Sequence, residues 1–76
     1  MEEKVTLEQE FIQEFKELRK KEKYTQHTLA NKTNVIRETI ARIETGAVSP
    51  QISTMLKILE PIGYTITIKK IIQEDE

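Results

Sequence analysis

The sequence predicts a mainly α domain, a bundle of about four helices followed by a single C-terminal β-strand. Three observations carry this. Apolar residues recur at spacings of three and four through roughly the first sixty positions. Helix starts and stops punctuate that stretch, with Thr6, Thr25 and Ser49-Pro50 as starts and Asn34, Gly46 and Gly63 as stops. From Tyr64 the period falls to two and β-branched residues dominate. With 76 residues the chain has room for one core. Its 37% hydrophobic and 33% charged composition is that of an ordinary globular domain rather than a disordered one. It has no cysteine, so no disulfide, no thiolate ligand and no thiol nucleophile. No apolar run exceeds two residues and the start is charged, so the expectation is a cytoplasmic protein with no membrane span and no signal peptide.

The first helix starts at a capping box formed by Thr6 and Gln9. Leu7, Phe11, Phe15 and Leu18 make its apolar stripe, with Glu8, Glu10, Glu14 and Glu17 on other faces. Lys20, Lys21 and Lys23 lie at its C-terminal end, where cations suit the helix dipole. Ile12 falls off the stripe, as core edge or as an exposed partner contact. Thr25 caps a short second helix from Gln26 to Thr33, and Asn34 sits where the chain must turn. A third helix runs from Ile36 to Thr45 with Ile36, Ile40 and Ile43 on one face, and Gly46 ends it. The fourth is expected to take Ser49 as cap and Pro50 as first residue, with Ile52, Met55, Leu56, Leu59 and Ile62 as its apolar face. Pro61 conflicts with its last turn, and Gly63 stops it. In the strand, Tyr64, Ile66, Ile68, Lys70 and Ile72 alternate with Thr65, Thr67, Lys69 and Ile71, and the acidic Gln73 to Glu76 are expected to fray. The division is therefore 1–63 for the helical domain and 64–76 for the strand and tail.

Little here suits catalysis. The one histidine, His27, stands between Gln26 and Thr28 on an exposed helix start. His, Cys and carboxylates do not have the spacing of a zinc site, and both glycines follow helices rather than forming a phosphate loop. The glutamates are spaced as solvated helix faces, and a small helical domain offers little concave pocket. No enzyme activity, metal or cofactor is expected.

Gln26 to Ile43 has helix-turn-helix spacing. Leu29, Thr33, Val35, Ile40 and Ile43 fall where two short helices bury side chains, and Ala30 falls where they cross most closely. Asn34 occupies the turn position that requires positive φ. Such a turn leaves the second helix proud of the surface, free to enter a DNA major groove. The run "YTQHTLANKTNVIRETIARIETGAVSPQISTMLKILEPIGY" resembles the helix-turn-helix of the XRE, or Cro/C1-type, regulators. That resemblance implies a lambda-repressor-like fold and double-stranded DNA as partner. It puts base reading on Arg37, Glu38 and Arg42, whose side chains suit guanine and cytosine edges. It makes Gln26, Thr39 and Thr45 candidates for phosphate contacts. It also implies a partly buried ion pair between Arg19 and Glu44. Two positions depart from the family pattern: Ile36 stands where Ser or Thr caps the recognition helix, and Asn34 where Gly fills the turn.

A lone strand leaves its backbone groups unpaired, so Tyr64, Ile66, Ile68 and Ile72 are expected to build a homodimer with the same strand of a second copy. Two recognition helices so joined would read an inverted-repeat operator. The ending "IGYTITI" after "ARIETG" resembles HigA-type antitoxins, with HipB-type antitoxins sharing such a strand. This resemblance implies a repressor of its own operon that neutralises a cognate toxin, often a RelE-like mRNA-cleaving one. The alternatives are a phage or mobile-element regulator without a toxin, and a protein-interaction module that has lost DNA binding. The net charge of −1 hides a division: residues 1–18 carry −4, residues 19–57 carry +5 and residues 58–76 carry −2. The basic block coincides with the helix-turn-helix, and its modest size makes a dimer important for affinity.

Overall fold

The computed structural model describes residues 6–71. Four helices follow one another: α1 (Leu7–Lys21), α2 (Gln26–Thr33), α3 (Arg37–Thr45) and α4 (Ile52–Leu59), the last continued by a 3-10 turn, Glu60–Ile62. The α1 capping box forms as its spacing predicts: Gln9 N donates to Thr6 Oγ1 at 3.0 Å, and Thr6 N to Gln9 Oε1 at 2.9 Å. At the other end Lys23 takes φ 68°. Lys23 N then donates to Lys20 O and Tyr24 N to Arg19 O, which satisfies two terminal carbonyls of the helix. A lysine is strained in that left-handed conformation. Lys23→Gly is expected to raise stability by about 0.5–1 kcal/mol, net of the extra freedom glycine has when unfolded. The shift in urea midpoint measures it.

A second capping box starts α2, with Thr28 N donating to Thr25 Oγ1 at 3.0 Å and Thr25 N to Thr28 Oγ1 at 2.8 Å. Asn34 ends it at φ 62°, as the turn requires. Thr33 fastens the same turn. Its hydroxyl donates to Leu29 O at 2.9 Å and accepts from Val35 N at 3.3 Å. Ile36 is the N-cap of α3 and offers no side-chain hydrogen bond, so Thr39 N and Ile40 N rely on its carbonyl alone. Gly46 closes α3 at φ 81°.

The start of α4 differs from the expectation. Ser49 is not its cap and Pro50 is not its first residue; Gln51 is the N-cap, with no side-chain bond. The connection from α3 stays beside that helix: Val48, Ser49, Pro50 and Gln51 line a cleft of about 200 Å³ with Thr39 and Ile43 of α3 and Thr54 of α4. Pro61 acts as its chemistry dictates. The helix tightens into the 3-10 turn around it and Gly63 stops the chain at φ 90°.

Phe15, Leu29, Val35, Ile40, Ile43, Met55, Ile58 and Leu59 form the core, with Phe11, Leu18, Tyr24, Ala30, Ile62, Tyr64 and Ile66 packed around it. Four residues assigned to apolar faces stay outside the core: Leu7, Ile36 and Ile52 are exposed, and Leu56 is half-buried outside the core cluster. Leu7 and Ile52 open their helices at turns beyond the core's reach. Ile36 precedes α3, so the helical phase does not aim it inward. Ile58, passed over in favour of the row through Leu56, is fully buried beside Met55. Ile12 is half-buried and stands outside the core cluster.

The strand expected from Tyr64 does not form among the described residues; 64–71 carry no regular secondary structure. A strand is defined by a ladder, and the other described residues, which are helical or in connections, supply no second strand to pair with. The period of two survives only at its start, where Tyr64 and Ile66 pack on the core between exposed threonines, while Ile68 is exposed. Ile72, the last of the dimerisation residues, the 73–76 tail and residues 1–5 lie outside the described residues. No helix of the described residues is long and apolar enough to cross a membrane.

Candidate nucleic-acid interface

The interface rests on a buried charge. Arg19, projecting from α1, is buried, and so is Glu44 of α3. Their pairing is bidentate: Arg19 Nε donates to Glu44 Oε2 at 2.6 Å and Nη2 to Oε1 at 2.9 Å. The third arm of the guanidinium, Nη1, donates to Tyr24 O at 2.9 Å, which fixes the α1–α2 connection. Burial alone would push the Glu44 carboxyl upward. The hydrogen bonds from Arg19 and Gln26, with the Arg19 charge, outweigh that and hold it below the usual carboxylate range. Among the described residues no buried side-chain nitrogen or oxygen lacks a partner.

Gln26 extends this network to the surface. It is the first residue of α2, and its Nε2 donates to Glu44 Oε1 at 3.0 Å. Its Oε1 accepts from Arg37 Nη1 at 3.2 Å. One hydrogen-bonded chain thus runs from α1 through Glu44 and Gln26 to the first residue of the exposed helix. Sequence reasoning placed Gln26 at a phosphate and missed this double contact. Its only signal is the separation of eleven residues, which sets the first turn of α2 beside the first turn of α3.

Arg37, Glu38 and Arg42 are all exposed on α3. Glu38 and Arg42 lie opposite the buried Ile40, Ile43 and Glu44, whereas Arg37, seven residues before Glu44, stands at the margin of that buried face beside Gln26. Arg42 Nη2 and Glu38 Oε2 form an i,i+4 ion pair at 3.0 Å, with both side chains more than half exposed. A pair this exposed contributes only about 0.3–0.5 kcal/mol, so another hydrogen-bonding surface can displace it. Thr45 closes the same helix, its hydroxyl donating to Arg42 O at 3.1 Å. Thr39 is half-buried and borders the cleft beneath the α3–α4 connection. His27 is exposed beside Asn31, and no group of three or more His, Cys, Asp or Glu side chains among the described residues could hold a metal ion. A contact without local signal in the sequence joins Tyr64, whose hydroxyl donates to Glu22 Oε2 at 2.7 Å.

Comparison with known proteins agrees with this geometry. The model of the family described as Helix-turn-helix, HTH_3, matches residues 15–69. An uncharacterized HTH-type transcriptional regulator of Haemophilus influenzae is 43% identical over 44 residues. That alignment covers 58% of this chain and 45% of the relative, so the chain matches under half of that protein's length. No solved structure matches significantly. The family match runs from the middle of α1 past the end of α4, well over half of the residues, and the chain belongs to the XRE-type helix-turn-helix family.

Proposed function

We propose that this chain is a sequence-specific DNA-binding transcriptional regulator that reads an inverted-repeat operator as a homodimer. The observation that carries the reading is the exposed Arg37, Glu38 and Arg42 face of α3, braced through Gln26 on a buried ion pair. A helix fixed from behind presents its side chains at defined positions along a groove. Arg37 and Arg42 are suited to donate two bonds to guanine, and Glu38 to accept from cytosine. Thr39 and Thr45 contact phosphates, and Gln26 orients Arg37 while lying at the same margin. The name of the Haemophilus influenzae relative, a transcriptional regulator, points the same way. Gel-shift titration against the DNA upstream of its own gene, over a series of salt concentrations, tests this. Affinity is expected to fall steeply and linearly in log–log form as counterions are released. Binding indifferent to salt, or none, overturns it.

Within that role the chain acts as an antitoxin that represses its own operon and neutralises a RelE-like toxin. The resemblance of "ARIETG" followed by "IGYTITI" to HigA-type antitoxins supports this. Purification from the native operon is expected to bring down a small basic protein in stoichiometric amount. Its absence favours the phage-type regulator.

A further inference from the structure

Residues 64–71 leave an apolar row half covered. Tyr64 and Ile66 pack on the core, but Ile68, next on that side of an extended chain, is 98% exposed. Beside the start of the segment runs a groove of about 290 Å³ whose floor includes Phe11, Phe15, Leu18 and Leu59. Charge is laid out unevenly along the same segment. Glu22 stands at its start, held by the Tyr64 hydroxyl, and Lys69 and Lys70 stand near its end.

Resting on the homodimer reading above, we propose that this surface takes a second copy of the chain in one register, with Thr67 facing its own copy on the two-fold axis. In antiparallel pairing across a two-fold axis, one residue must face itself, and residues directly opposite share a face. With Thr67 on the axis, Ile66 lies opposite the partner's Ile68, and Tyr64 opposite the partner's Lys70. The exposed isoleucine then covers the partially covered one beside the groove. The lysine meets the Glu22 carboxylate at the Tyr64 hydroxyl. Thr65, Thr67 and Lys69 share the opposite face with Ile71, and all four are exposed in the single chain. Moving the axis one residue breaks the match. With Ile68 on the axis, Lys70 lies over Ile66; with Ile66 on it, Lys70 lies over Ile62, itself packed on the core. Either shift sets an ammonium group on apolar surface. Pairing also supplies ladder partners for backbone groups that a single chain leaves without a strand.

The chain has no cysteine, so introduced cysteines report the register without background. They can be confined to the exposed positions 65, 67 and 69 of the whole chain. Under mild oxidation Thr67→Cys is expected to form a disulfide dimer by itself. Thr65→Cys and Lys69→Cys are expected to cross-link only when mixed, at least tenfold faster than either alone. Preferred linkage between positions 65 and 67, or between 67 and 69, places the axis elsewhere and overturns the register while leaving the dimer intact. The same holds if none of these pairs cross-links although light scattering of the unaltered protein gives a dimer. A monomer in light scattering across the concentration range ends the homodimer reading and this inference with it. Lys70→Glu is expected to raise the dimer dissociation constant about tenfold, since the contact occurs twice. Adding Glu22→Lys is expected to restore it, and a failure to restore counts against the Lys70–Glu22 contact and therefore against the register.

Discussion

Replacing Glu44 by Ala is expected to destabilise the fold by about 3–5 kcal/mol, because it leaves the Arg19 guanidinium buried without its counter-charge. A domain of this length has a total stability of about 4–11 kcal/mol, so the variant stands near the limit of folding. Arg19→Ala is expected to cost a similar amount, leaving a buried carboxylate with Gln26 as its remaining hydrogen-bond donor. Arg19→Met with Glu44→Leu removes both charges and should recover much of the loss, since no charge is then stranded. Urea titrations of the two single variants and the double give the comparison, and a double variant as unstable as the sum of the singles contradicts it. The pH dependence has a defined sign. The folded Glu44 carboxyl is held below its ordinary value of 4.5. Its contribution is therefore complete above that value and is lost as pH falls through the lower, folded value. Melting temperature is expected to drop on acidification below about pH 4.5 in the wild type. The drop should be shallower in the double variant.

The network that makes this prediction was legible in part. Arg19 and Glu44 stand out through the family resemblance, because both fall at positions of an extended pattern. The α1 capping box, the Thr25 cap, the left-handed Asn34 and the glycine stops are local, and local chemistry is enough to place them; the reciprocal bond from Thr28 that completes a second box shows only in the structure. The errors came where tertiary geometry decides. Ser49-Pro50 has the composition of a helix start, yet these residues stay in the connection and line a cleft against Thr39 and Ile43 of α3. Ile36 and Ile52 have the spacing of core residues but lie at helix ends that overhang the core. The alternation from Tyr64 to Ile72 expresses a preference for extended chain, whereas a strand requires a partner that the described residues do not supply. Gln26 appeared as a surface residue because nothing in its neighbourhood announces that Glu44 and Arg37 converge on it from another helix. Base-reading candidates were easier to find than the residue that aims one of them, since exposure follows from helical phase and aim does not.

Arg37→Ala and Arg42→Ala are each expected to weaken operator binding by about 1–3 kcal/mol and to flatten discrimination at one base pair per half-site. The two should differ in how they depend on neighbours. Arg42 is held in the free protein by Glu38, a solvent-exposed pair that DNA can replace at little cost. Glu38→Ala therefore leaves the Arg42 position readable and alters only the base that Glu38 itself contacts. Arg37 is instead held by Gln26, whose other end is fixed on buried Glu44. Gln26→Ala frees that guanidinium, so it is expected to relax specificity at the Arg37 base pair while leaving the Arg42 base pair unchanged. Thr45→Val, at a proposed phosphate contact, is expected to weaken all sequences alike. Gel-shift titration of the variants against an operator and its single-base-pair substitutions separates these outcomes. Unchanged affinity in the Arg37→Ala, Arg42→Ala double variant would remove base reading from this face of α3. A uniform loss from Gln26→Ala would make that residue a phosphate contact rather than the support of Arg37. The distinction is physical: a residue that orients a base-reading side chain alters one column of the specificity matrix, and a residue that binds the backbone shifts every column together.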